Sequence, residues 1–181
     1  MIWMSPDRME RGVPEAARVR AATPADVPAL LRLKRQLAIL EKAELALRAT
    51  EGDWLRDGFG PRAQFTAFVA ERAGTVVGMV TASERYYTSW AGSTLYIQDI
   101  YVDPPHRGRG IGTALLGCVA ALALERGSPL VELTVRADNP ARRLYRRVGF
   151  QQVNCASYVS AGAGLATLAM AIRTRSAAAG A

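Results

Sequence analysis

The stretch of this chain whose residue types and spacing best suit chemistry is Arg107-Gly108-Arg109-Gly110-Ile111-Gly112-Thr113. It lies between an extended segment stopped by Pro104 and Pro105 and a long apolar run with helical periodicity. Glycine admits positive φ and lets the backbone come close to a ligand. A helix starting directly after such a turn presents N–H groups without intrahelical acceptors at the positive end of its dipole. Together these make an anion site suited to a pyrophosphate, and Arg107 and Arg109 add charge. Two other phosphate-binding patterns do not fit. A P-loop needs Gly-Lys-Ser/Thr after four spacers, and no lysine is near. A dinucleotide fingerprint needs Gly-x-Gly-x-x-Gly, whereas the glycines here fall at 108, 110 and 112. A plain glycine turn is the bland alternative. Three alternating glycines flanked by arginines, after a strand with proline stops, weigh against it.

The elements that must position this turn are legible in the hydrophobic pattern. Residues 18–21 form a short strand candidate. Thr23-Pro24-Ala25-Asp26 places a cap at Thr23 and proline at the first helical position. Val27, Leu30, Leu31, Leu33, Leu37 and Leu40 then mark one helix face. A second helix is expected from about 50 to 56, capped at Thr50, with a loop over 58–61. Strands are expected at 65–71 and 76–85, joined by a turn at Ala73-Gly74-Thr75, and at 95–102. A strongly apolar helix should run from about 112 to 125, closed by Gly127. A strand at 130–135, a short helix at 139–148 and last strands at 150–153 and about 164–173 complete the order. This predicts one α/β domain over residues 17–173, with a flexible leader at 1–16 and a disordered tail at 174–181. No internal repeat is visible.

At this point the chain resembles a known family. Arg107-Gly108-Arg109-Gly110-Ile111-Gly112 fits the Arg/Gln-x-x-Gly-x-Gly/Ala motif of the GNAT superfamily of N-acetyltransferases. Ile100-Tyr101-Val102-Asp103-Pro104 before it and Leu144-Tyr145-x-x-x-Gly149-Phe150 after it also look like that family. Within it, the chain is most similar to the diamine (spermidine/spermine) and thialysine acetyltransferase branch. That likeness rests on Leu37-Ala38-x-x-Glu41, Asp57-Gly58-Phe59-Gly60 and Leu95 to Val102. The resemblance implies the GNAT fold: a mixed, mostly antiparallel twisted sheet, helices on both faces and splayed central parallel strands. It implies an acetyl-CoA-dependent N-acetyltransferase, with acetyl-CoA as co-substrate and no metal. It also implies a homodimer.

Acyl transfer from a thioester to an amine needs a neutral amine held close, a donor for the developing oxyanion and a proton for the leaving thiolate. The resemblance assigns Ile100, Tyr101 and Val102 to the pantetheine arm, with Leu133 on the strand that diverges from them. It assigns Gly108, Gly110, Ile111, Gly112 and Thr113, with Arg107 and Arg109, to the pyrophosphate. Tyr145 matches the family tyrosine that donates a proton to the thiolate; its bland alternative is an aromatic packing residue. The family asparagine falls seven residues before that tyrosine, where this chain has Asp138. Asn139 stands one residue late and is the expected contact. For the acceptor, Glu41 and Gln98 occupy the branch's positions. Gln98 stands where that branch has glutamate and can neither accept a proton nor carry charge. Asp99 is retained, but strand alternation points it to the other face. Leu40 replaces a family tyrosine. The expected acceptor is therefore a primary amine on a small molecule, less cationic than a polyamine. The alternatives are a polyamine acetyltransferase proper and a non-catalytic acyl-CoA-binding module. No general base is evident beyond a water chain to Glu41 or Glu84. His106 reads as a solvent-facing loop residue or at most a phosphate contact.

Composition sets the outer bounds. Half of the 181 residues are hydrophobic, enough for a core without metal or disulfides. One histidine and two separated cysteines, Cys118 and Cys155, offer no ligand set. Cys118 sits in an apolar helical run and reads as core. No signal peptide and no apolar run of membrane-spanning length is seen, so the expected location is the cytoplasm. The net charge of +7 invites a nucleic-acid reading. However, the arginines are scattered and not interleaved with aromatics, which favours a small polyanion such as a phosphorylated cofactor.

Overall fold

The computed structural model describes residues 17–154 and 163–164. Residues up to Val148 form one compact unit, and those from Gly149 a second. In the first unit the strands are β1 (Arg18–Ala21), β2 (Thr66–Arg72), β3 (Thr75–Tyr87), β4 (Gly92–Val102) and β5 (Val131–Leu133). The helices are α1 (Val27–Glu41), α2 (Glu51–Phe59), α3 (Ile111–Glu125) and α4 (Arg142–Arg147). The strands form one sheet in the order β1-β2-β3-β4-β5. All neighbours are antiparallel except β4 and β5, which run parallel and are joined through α3.

Alternation along β3 assigns the two faces. Met79 joins Val69 and Tyr101 beneath Val27, Leu30, Leu33 and Leu37 of α1. The next residue back, Gly78, faces the other way. A Cβ there would lie 3.4 Å from Ile111 of α3, so glycine lets that helix start close against the sheet. Ile111, Leu115, Leu116, Val119 and Ala123 form the buried stripe of α3. The expected mixed sheet with helices on both faces is what the residues build.

Caps act where the sequence placed them. The Thr50 hydroxyl accepts from the Asp53 N–H at 3.2 Å while the Asp53 carboxylate accepts from the Thr50 N–H at 2.9 Å. At Thr23 the chain first makes a 3-10 turn over Pro24–Asp26 before α1 begins. Asp26 is buried there; its carboxylate accepts from the Thr23 N–H and from both ends of the Arg20 guanidinium. Arg20 also pairs with Glu71, so one cation ties β1, β2 and the start of α1 together. Gly127, at φ 65°, ends α3 as expected.

Three readings need correction. The β3–β4 hairpin is longer at its tip than expected, running to Tyr87 and back from Gly92. Strand β5 is shorter, because its ladder ends at Ile97 opposite Leu133; Thr134 and Val135 suit a strand but β4 has moved away. Residues 150–153 form no strand: a β-forming run of four residues is decided by its partners. The 1–16 leader, Cys155, the tail and nearly all of the expected 164–173 strand lie outside the described residues, and Gly164 is helical.

Candidate active site

The parting of β4 from β5 opens a cleft of about 440 Å³. Its walls are β4 from Ile97 to Val102, β5 and its extension from Leu133 to Val135, and the α4 residues Leu144 and Tyr145. At one end stand His106, Arg107, Gly108, Gly110, Ile111, Gly112 and Thr113; Leu37, Leu40 and Glu41 of α1 also line it. Every proposed site residue except Arg109 lines this one cleft.

The glycine turn takes the conformation its residues require. Gly108 and Gly110 have φ of 73° and 81°, in the left-handed region that side chains other than glycine seldom adopt. Gly110 caps α3, and no side chain satisfies the helix's first N–H groups. Those donors face a cleft end that also holds Arg107, which is the arrangement an anion uses. Gly112 serves packing: a Cβ there would lie 3.0 Å from Leu144, and α4 leans on α3 at that point. Arg107 folds back, its Nε donating to the Val102 carbonyl at 2.8 Å and its guanidinium lying 5.3 Å from the Tyr101 ring centre. It therefore braces the turn against the end of β4. Arg109 is exposed on the outer side of the turn and is not part of the cleft.

Tyr145 is buried, with 8% of its surface exposed. Burial pushes its phenol above the ordinary value, and the nearby Glu41 charge pushes it further. The hydroxyl is thus held protonated through neutral pH, as a proton donor must be. Asn139 lines the cleft, and its Oδ1 accepts from the Ala141 N–H at 2.9 Å, starting the turn into α4. Asp138 points elsewhere: it is exposed and paired with Arg136, which lowers its carboxyl pKa. Of the two, Asn139 is the one that lines the cleft.

At Gln98 the β3–β4 register shifts, Thr81 pairing with Asp99 and Ala82 with Ile97, so Gln98 is the extra residue of a bulge. The bulge falls where β5 leaves. The Gln98 amide donates to Ser83 Oγ at 3.0 Å. Asp99 reaches Lys34 of α1 and accepts from Thr81 Oγ at 3.2 Å, yet it lines the same cleft as Gln98, because the bulge interrupts the alternation expected to separate the two. Sequence reasoning missed that pair. The available signal was Lys34 itself, one of two lysines in the chain, seven residues before Glu41 on α1. Glu84 is not at the cleft; it pairs with Arg126 at 2.8 Å and lines a separate depression. His106 does touch the cleft end and lies 3.4 Å from Arg72 through Nδ1. Cys118 is half-buried, and burial pushes its thiol pKa up, the opposite of a nucleophile. Asp57-Gly58-Phe59-Gly60 ends α2 away from the cleft. A Cβ on Gly58 would meet the Phe65 ring at 2.7 Å, and Phe65 packs edge-on against Trp54. Among the described residues no cluster suited to a metal ion is present.

Comparison with known proteins accords with this geometry. The chain is 34% identical over 146 residues to thialysine N-epsilon-acetyltransferase of Mus musculus, covering 76% of this chain and 86% of that protein. It is 31% identical over 151 residues to aminoalkylphosphonate N-acetyltransferase of Salmonella typhimurium, covering 80% and 92%. The fold matches the crystal structure of an aminoglycoside acetyltransferase from an uncultured soil sample, with a TM-score of 0.69 at 23% identity over 82% of this chain and all of that one. The model of the acetyltransferase (GNAT) family matches residues 35–150, the span holding the glycine turn, the parted strands and Tyr145, and the chain belongs to that family.

Proposed function

We propose that this chain is an acetyl-CoA-dependent N-acetyltransferase that moves an acetyl group to the primary amine of a small molecule by direct attack in a ternary complex. One observation carries the reading: the cleft between the parted strands runs onto an uncapped helix start behind two left-handed glycines, with a buried tyrosine in its wall. Acetyl-CoA supplies the activated acyl group when bound. The amides from Gly108 to Thr113 hold its pyrophosphate. Backbone groups of Ile100, Tyr101 and Val102 on the β4 edge that β5 has left hold the pantetheine arm, with Leu133 opposite. Asn139 offers its amide nitrogen to the same ligand, since its oxygen is committed to Ala141. Glu41 attracts the acceptor ammonium, Gln98 lines its path, and the amine reacts once it has lost a proton. Tyr145 donates to the departing sulfur. The working protein is a homodimer in the cytoplasm; no helix among the described residues is long and apolar enough to cross a membrane.

Thiol release from acetyl-CoA with a panel of amines tests this. The panel should include spermidine, a thialysine-like amino acid and simple amines. Amine-dependent release that falls on Tyr145→Phe is expected. Tight acetyl-CoA binding with no release for any amine would instead make the chain an acyl-CoA-binding module.

A further inference from the structure

Resting on the N-acetyltransferase reading, we propose that Lys34 is a specificity-determining residue: by pairing with Asp99 it leaves the cleft lining with one carboxylate outside any ion pair, Glu41, and so selects amines with a single cationic centre over diamines and polyamines. The charged groups that line the cleft support this count. Its carboxylates among the described residues are Glu41 and Asp99. Asp99 is occupied twice, by the Lys34 ammonium on one oxygen and by the Thr81 hydroxyl on the other. Its side chain is 11% exposed and that of Lys34 is 27% exposed, so the pair is sheltered from the water that weakens surface ion pairs. Lys34 reaches it from α1, one turn before Leu37 and two before Glu41, and itself stays out of the lining. Gln98 on the adjoining bulge carries no charge and donates to Ser83. The other charged residues of the lining, Arg107 and Arg147, are cations.

On entry, before the reacting amine loses its proton, an acceptor with one ammonium can use Glu41. A second ammonium would leave water for a cleft that has no second free carboxylate, and burying an unpaired charge is strongly unfavourable. The net charge of +7 opposes a polycation at longer range as well.

Butylamine and putrescine share a chain length and differ by one amine, so they are the probes. With wild-type protein and acetyl-CoA, kcat/KM from thiol release should favour putrescine by no more than the statistical factor of about two. Lys34→Gln should raise the putrescine-to-butylamine ratio about fivefold, the upper end of what a solvent-accessible ion pair is worth. Adding Asp99→Asn to that variant should return the ratio to its starting value, which a general loss of structure would not do. Gln98 is exposed and takes no part in the Lys34–Asp99 pair, so Gln98→Glu should raise the ratio by a second route. A wild-type preference for putrescine clearly above that statistical factor, or an unchanged ratio in both Lys34→Gln and Gln98→Glu, overturns the proposal. If neither amine releases thiol, the enzymatic reading fails, and calorimetry of both amines on the CoA-loaded protein still decides this one. Putrescine gaining affinity over butylamine in Lys34→Gln sustains it, and equal change overturns it.

Discussion

Tyr145 and Glu41 act on each other across the cleft, and this gives the residue scale its sharpest tests. Tyr145→Phe removes the hydroxyl proposed as the proton donor while keeping the ring that packs in the wall. We expect kcat to fall about 100-fold, at the lower end of general-acid effects, with the acetyl-CoA KM nearly unchanged. Burial is the first cause of the raised Tyr145 pKa and the Glu41 charge the second. Spectroscopic titration should therefore place this phenol above the ordinary tyrosine value, and Glu41→Gln should bring it part of the way down. The sign follows from charge: a nearby carboxylate disfavours the phenolate, so removing it makes the proton easier to lose. The kcat profile should then show no loss of the acid form through neutral and mildly alkaline pH. A titration unmoved by Glu41→Gln would separate the two residues. Much of this was readable in the residues. The glycine turn was legible because its residue types are constrained by φ, and the place of Tyr145 because it matches a family motif; both lie at the cleft. The Lys34–Asp99 pair was not, because it depends on how α1 crosses β4, and no local spacing encodes that angle. Asn139 over Asp138 was half legible: the residue types were clear, and only the Arg136 pairing removes Asp138 from the cleft.

At the scale of elements, the parting of β4 and β5 makes the site, and single-chain patterns describe it poorly. Residues 130–135 all suit a strand, yet only Val131–Leu133 pair, since the ladder needs a neighbour and β4 bulges at Gln98. Helix starts are better encoded, because a cap and its partner lie within four residues of each other. The Asp26 junction is the one with energetic weight. The Arg20 guanidinium, helped by the Thr23 N–H, lowers the Asp26 carboxyl from 3.8 to about 2. A depressed carboxyl stabilises the fold above its unfolded pKa and loses that contribution as pH falls through its folded one. Stability should thus decline between about pH 4 and pH 2 by roughly 2 kcal/mol from this group. Denaturant melts across that range should show the decline in wild type and a flatter limb in Asp26→Asn. The variant should also start about 2 kcal/mol lower at pH 7, since it breaks a buried, charge-assisted network. Thr50→Ala, at an exposed cap far from the cleft, should cost about 1 kcal/mol and leave thiol release untouched.

The basic surplus of the whole molecule is the feature most open to misreading. Twenty-three cations against sixteen acids look like a nucleic-acid footprint. The structure spends many of those arginines elsewhere: Arg20, Arg32, Arg56, Arg85, Arg126 and Arg136 each pair with a carboxylate, on different elements. Among the described residues these six cations are used one by one as braces, which leaves less free charge for a phosphate backbone. The charge that matters is local, at the uncapped start of α3. A ligand that binds only the folded chain stabilises it by mass action, about 2.7 kcal/mol at one hundred times its Kd. For a chain of this size each kcal/mol moves Tm by roughly 2–4 °C. Saturating acetyl-CoA should therefore raise Tm by roughly 5–10 °C. A duplex oligonucleotide at 0.15 M salt should leave Tm unchanged, since scattered arginines give contacts that salt screens. Gly110→Val forces a side chain onto a φ of 81° and crowds the anion site; it should abolish the acetyl-CoA shift. The opposite pattern, a shift with duplex that survives 0.15 M salt and none with acetyl-CoA, would return the charge of this molecule to nucleic-acid binding.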